Sequence, residues 1–248
     1  RIVACGLCAS KLQKTTMKLE KVTKRDRATT KRWYDDACGT ALAMELVGER
    51  WALLIVRELM FGPRRFGELR ASLKGISANV LTQRLEGLER AHILKRRRLP
   101  PPASAQVYEL TAWGYAAEEP IKILGAWAAR SPDHDPTLPL SSASMMLSLR
   151  TMMDAARARA LPPMTLGFAF GAEAFTARLA DGDLVIRRSE GDAEVHFSTD
   201  ARTMANIVYG KQPIEQAEAA GALVFTGNRA AARAFINLFA LPPKAKVE

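Results

Sequence analysis

Residues 75–98 read GISANVLTQRLEGLERAHILKRRR, and no other stretch narrows the fold so far. Stepping about 100° per residue from Leu81 places Leu85 and Leu88 within about 40° of it. Asn79, Thr82, Gln83, Glu86 and Arg90 fall about 100–180° away. One side of this helix must pack while the other stays free. The preceding KGIS is a tight turn in which Ser77 can cap the helix. FGELRASL, before that, suits a short helix that packs Phe66, Leu69 and Leu73. Two helices joined by a short turn containing Gly match a helix-turn-helix. Next, ILKRRRL and VYELT can pair as strands around PPPASAQ, a hairpin that reads as a wing.

An α-helix fits the major groove of B-DNA, where each base pair shows its own donor and acceptor pattern. The N-terminal part of a recognition helix does most of the reading, which points to Ser77, Asn79, Thr82 and Gln83. Arg65 and the wing residues Lys95, Arg96, Arg97 and Arg98 suit phosphate or the minor groove. Arg84 lies about 60° from the packed stripe, so a phosphate or an internal carboxylate fits it better than a base. A solvated face would account for any one of these residues alone. Charge by region adds to the case. Residues 1–130 hold 24 Lys and Arg against 13 Asp and Glu, and residues 131–248 hold 12 against 13. The whole excess of +10 therefore belongs to the first half, as expected of a module that meets double-stranded DNA. Charge alone also suits an acidic protein or a membrane surface.

Four segments follow from composition and periodicity: a basic flexible arm over 1–31, a winged helix-turn-helix over 32–130, a linker over 131–143 and an α+β unit over 144–245. Between residues 11 and 32 nine basic residues face two acidic ones, with little apolar periodicity. Asp35 or Asp36 is placed to cap a helix through ACGTALAMELVGE. RWALLIVRELMF, apolar almost all round, predicts a buried helix, and AWGYAAEEPIKILGAWAARS a single closing one. SPDHDPTLPLSSAS has linker composition. Beyond it, a helix through MMLSLRTMMDAARARA precedes period-two segments TLGFAF, AFTARL, DLVIRR and AEVHFS. Two helices, a strand ALVFTG and a last helix NRAAARAFINLF complete the unit.

The longest strongly apolar stretch, WALLIVRELMF, is too short to span a bilayer and carries Arg57 and Glu58. No secretory leader is visible, and three cysteines make no disulfide framework. A cytoplasmic protein with no membrane partner is expected. Cys5 and Cys8 form a lone CxxC, two of the four ligands that a structural zinc needs. His92, His134 and His196 are scattered. With no catalytic triad order, phosphate loop or paired carboxylates, the chain reads as a non-enzyme without metal or cofactor.

Cys38, GERWALLIVRELMFGPRRFGEL, GISANVLTQRLEGLE and VYELTAWG together resemble the HxlR-type winged helix-turn-helix transcription regulators over residues 33–130. The resemblance implies a homodimer on operator DNA, with residues 37–46 and 117–129 at the dimer interface. It also makes Cys38 a candidate oxidant or electrophile sensor, beside its reading as a small packing residue at that interface. The chain departs from the family at Gly39, where Cys-Pro is usual, and at Arg50, where a Lys precedes the Trp. Neither change touches the expected DNA face.

DLVIRRSEGDAEVHFSTDARTMANIVYGKQPIEQAEAAGALVFTGNRAAARAFINLF resembles the sterol-carrier-protein-like domain. That family encloses an apolar tunnel between a five-stranded sheet and its helices. By this resemblance Phe168, Phe170, Leu184, Ile186, Phe197, Met204 and Phe235 line a pocket for an apolar small molecule, and a plain core reads equally well from periodicity. The expectation is a multidomain chain, a mainly-α winged helix-turn-helix followed by an α+β sterol-carrier-like domain. Its expected role is that of a dimeric, sequence-specific transcriptional regulator under small-molecule control. The alternatives are a lipid-carrying or interaction module whose winged helix makes protein contacts, and an enzyme acting on a lipophilic substrate.

Overall fold

The structure is a computed structural model that describes residues 34–102 and 104–246. The basic arm, with Cys5 and Cys8, lies outside the described residues. The first element, α1 (Gly39–Val47), has Cys38 rather than either aspartate at its N-cap position, and no side chain caps it there. Asp36 Oδ1 instead accepts the Cys38 backbone N–H at 2.9 Å. α2 (Ala52–Leu59) buries Ala52, Ile55, Val56 and Leu59, as its composition predicts. It also buries Glu58 and leaves Leu54 exposed, so its burial is not uniform.

α3 (Phe66–Ser72) and α4 (Ala78–Arg90) form the helix-turn-helix. Gly75 in the turn has φ +91°, a left-handed conformation open to glycine at little cost. Ser77 caps α4 by accepting the Val80 N–H at 3.2 Å. Leu81, Leu85 and Leu88 are buried, each contributing roughly 1.5–3 kcal/mol of apolar burial.

β1 (Leu94–Arg98) and β2 (Gln106–Leu110) pair antiparallel, with Lys95 opposite Glu109 and Arg97 opposite Val107. Arg64 adds a bridge to Tyr108 on the outer edge of β2. The closing helix is two: α5 (Ala112–Ala116) and α6 (Glu118–Ala128). Pro120 explains the break, since it has no N–H for the Ala116 carbonyl and its ring crowds that carbonyl. A Cβ on Gly114 would come 2.0 Å from the Ile93 carbonyl oxygen, so glycine lets α5 approach this closely.

In the second half α7 (Ser142–Met152) and α8 (Ala155–Ala158) precede the sheet. Its strands are β3 (Met164–Phe170), β4 (Glu173–Ala180), β5 (Asp183–Arg187), β6 (Val195–Thr199) and β7 (Val224–Gly227). The order is β5-β4-β3-β6-β7, with β3 and β6 parallel and the other pairs antiparallel. Asp181 and Gly182, with φ 54° and 84°, turn β4 into β5 in the manner of a two-residue hairpin. α9 (Ala201–Val208), α10 (Ile214–Ala219) and α11 (Arg229–Ile236) complete the unit. Met204, Ile207, Val208 and Phe235 point into its core.

The two halves touch. Phe61 sets its edge against Phe175 with centroids 5.6 Å apart. Arg64 pairs with Glu173. The Ser141 hydroxyl caps α7 and donates to the buried Glu58 carboxylate at 2.6 Å. Lys244 donates to the Ser131 and His134 carbonyls, both at 2.8 Å. The segment composed like a linker is thus tied at both ends. Among the described residues no helix is long and apolar enough to cross a membrane.

Candidate nucleic-acid interface

Burial of the leucine stripe fixes what α4 presents. Ser77, Asn79, Thr82, Gln83, Glu86 and Arg90 are all exposed. The hydroxyl, amides and guanidinium on this face can donate or accept at base edges. Three leucines anchor the helix from behind and Ser77 holds its first turn, so the polar groups stand on a rigid element. That is the arrangement a reading surface requires.

The wing lies beside this face and is joined to it by charge. Arg96 Nε donates to Glu89 Oε2 on α4 at 2.7 Å, and Glu89 Oε1 accepts the Arg96 backbone N–H at 3.2 Å. Arg97 pairs with Glu109 at 2.9 Å, Lys95 reaches the same carboxylate at 3.8 Å, and Arg98 Nε donates to the Ser104 carbonyl at 3.4 Å. All four basic side chains stay exposed. Such exposed pairs are individually weak, so a phosphate can compete for the same cations. Arg65, also exposed, sits at the start of α3, where Glu68 Oε2 accepts its backbone N–H at 2.9 Å. Of the two partners foreseen for Arg84, the structure holds the internal carboxylate, Glu49 at 3.1 Å. Arg70 and Lys74 are exposed on and just after α3 as well. The sequence reading passed over them because neither lies in a basic run.

Cys38 is exposed at the N-terminus of α1. The Ala41 and Thr40 backbone N–H groups, and then the Thr40 hydroxyl, hold its thiol below the ordinary cysteine range. Asp36 bonds the backbone of Cys38 rather than its sulfur. α1 and α6 expose Leu42, Met44, Ile123, Leu124 and Trp127, with Ile123 and Trp127 at 69% and 70%. Ile123, Leu124 and Trp127 fall on one side of α6, an exposed apolar patch of the kind that marks contact surfaces.

The seven residues expected around an apolar ligand are all buried. Phe168 stacks on Phe197 with centroids 5.4 Å apart and meets Phe170 and Phe235 at 6.2 Å each. For a ligand to enter among them, this stack must part. Phe170 alone of the seven also lines a cleft of about 1210 Å³ between the two halves. His92 and His196 are exposed, and among the described residues no group of His, Cys, Asp or Glu is arranged to hold a metal.

Comparison with known proteins places the first half. The profile described as HxlR-like helix-turn-helix matches residues 46–136. The HTH-type transcriptional regulator YodB of Bacillus subtilis (strain 168) is 38% identical over 86 residues, which are 35% of this chain and 77% of YodB. The uncharacterized HTH-type transcriptional regulator YvaP of the same organism is 35% identical over 86 residues, covering 35% of this chain and 80% of YvaP. A solved structure of the reduced form of B. subtilis YodB aligns at 34% identity and TM-score 0.37, over 40% of this chain and 100% of that one. The exposed α4 face and its wing fall inside the matched region, and through that region the chain belongs to the HxlR-like helix-turn-helix family.

Proposed function

We propose that the protein is a dimeric, sequence-specific DNA-binding transcriptional regulator whose second half responds to a small molecule. The observation that carries this reading is the exposed polar face of α4 standing beside four exposed basic residues of the wing. Ser77, Asn79, Thr82 and Gln83 read bases, while Arg65, Lys95, Arg96, Arg97 and Arg98 contact phosphate or the minor groove. Replacing Arg97 by Ala is expected to weaken binding to every duplex sequence alike. It should also reduce the slope of log affinity against log salt by about one. Fluorescence anisotropy across a salt series checks this, and an unchanged slope counts against the wing as a phosphate clamp.

The apolar side chains of α1 and α6 meet those of a second copy across a twofold axis, which sets two α4 helices over two half-sites. Within the second half, the strand and helix order supports a sterol-carrier-like unit. A ligand that favours one spacing of the two α4 helices changes operator affinity by its own preference for that spacing.

Cys38 acts as a sensor at the α1 edge of this interface. With its thiol held low by the Ala41 and Thr40 N–H groups, its thiolate is more populated at neutral pH than in a free cysteine. Alkylation by iodoacetamide, followed against pH with Cys5 and Cys8 changed to Ser, is expected to show a midpoint below the about 8.5 of a free cysteine. A midpoint at or above that value leaves Cys38 as a packing residue.

A further inference from the structure

The cleft between the two halves carries charges that do not balance. On the first half it is lined by Trp51, Leu54, Arg57, Arg64, Glu68 and Lys74, and on the second by Leu140, Phe170, Glu173, Arg188, Asp200 and Arg202. Its volume, about 1210 Å³, is enough for a small organic molecule. Several of the charges are already committed. Arg57 gives Nε and Nη2 to Glu58 Oε1, at 3.1 and 2.8 Å. Asp200 caps α9, accepting the Arg202 and Thr203 N–H groups and the Thr203 hydroxyl. Arg64, buried, takes Glu173 and lies 3.5 Å from Glu68.

Arg188 is left with little. Its Nε, Nη1 and Nη2 are all buried and none makes a hydrogen bond. Nη2 comes only within 3.5 Å of the Glu173 carboxylate that Arg64 already holds, and the guanidinium lies 5.1 Å from the Phe175 ring centroid. Burial, and then the neighbouring charge of Arg64, push the Arg188 pKa down. An arginine cannot answer such a site by losing its proton, so its buried donors call for an anion. Five cations line the cleft against Glu68, Glu173 and Asp200, and Glu58 behind the wall neutralises Arg57. One positive charge remains, which suits a monoanion and disfavours a phosphate dianion. The planar fork of Arg188 fits a carboxylate, and Trp51, Leu54, Leu140 and Phe170 offer an apolar body its surface.

We propose that this cleft binds a small monocarboxylate with an apolar body, its carboxylate held by Arg188. The site rests on the regulatory reading only for its consequence at DNA. That consequence runs through Arg64, which exchanges backbone hydrogen bonds of 2.9 and 2.8 Å with Tyr108 of the wing and shares Glu173 with Arg188.

Calorimetry with octanoate and octanamide on the full chain tests the site. Octanoate is expected to bind saturably and at least tenfold more tightly than its amide. Arg188→Gln should remove that preference, and Arg187→Gln, the same charge change on an exposed neighbour, should keep it. Should Arg188→Gln fail to fold, Ala172→Trp at the cleft rim leaves the arginines in place and should still block octanoate. Equal binding of acid and amide, no saturable octanoate binding, or octanoate affinity unaffected by Arg188→Gln overturns the site. Failure of the ligand-free protein to bind DNA would overturn the regulatory reading and leave the carboxylate site standing.

Discussion

Changing Trp127 to Asp is expected to lower affinity for operator-length duplex DNA about 10²–10⁴-fold, with the fold of the chain intact. Trp127 is 70% exposed, so its loss removes no interior packing. It lies one helical turn beyond Ile123 on α6, and the two form one apolar face together with Leu124. In the proposed dimer this face meets its own copy, and a carboxylate placed there faces a second carboxylate across the twofold axis without water around it. Each released half then binds alone, without the gain in effective concentration that a paired half-site provides. Sedimentation and DNA titration together decide the matter. A monomer with weakened DNA binding supports the interface, whereas an unchanged dimer moves it off α6.

The second large effect concerns stability. Replacing Phe197 by Ala is expected to lower the unfolding free energy by about 3–5 kcal/mol. The ring is fully buried between Phe168 at 5.4 Å and Phe225 at 5.3 Å, on β6 between β3 and the edge strand β7. Truncation therefore removes apolar burial and leaves a cavity that its stacked neighbours cannot close. The size of the loss also separates two readings of these residues. A ring that lines an open tunnel already borders space, so its removal costs little beyond the transfer free energy of the lost atoms. A urea titration showing a loss near 1–2 kcal/mol would favour the tunnel, and one near the upper figure the packed core.

Local periodicity carried the parts that were legible in the sequence. The leucine stripe and Ser77 defined α4 because a helix repeats its faces regardless of distant neighbours. The alternation of Phe168 and Phe170, Leu184 and Ile186, and Val195 and Phe197 likewise marked the buried face of the sheet. The break at Ala117 had a visible cause in Pro120, outweighed by the apolar pattern on either side. The start of α1 after Cys38 was hidden because Asp35 and Asp36 are stronger capping residues on propensity alone.

Contacts between the halves left no local trace. Glu173 stands 109 residues from Arg64, and Ser141 stands 83 from Glu58. No period or spacing links such pairs, and each residue alone resembles an ordinary surface group. The parallel pairing of β3 with β6 and the cleft beside Arg188 arise only when the chain closes on itself.

The central claim is that the exposed face of α4 reads bases, and selection of duplexes from a random pool tests it most directly. The unaltered protein should enrich a motif with two related half-sites. Asn79→Ala and Gln83→Ala should each relax particular positions of that motif, at about 1–3 kcal/mol per lost base contact, while binding to unrelated DNA is kept. The same motif enriched with the same discrimination by both variants would contradict the account.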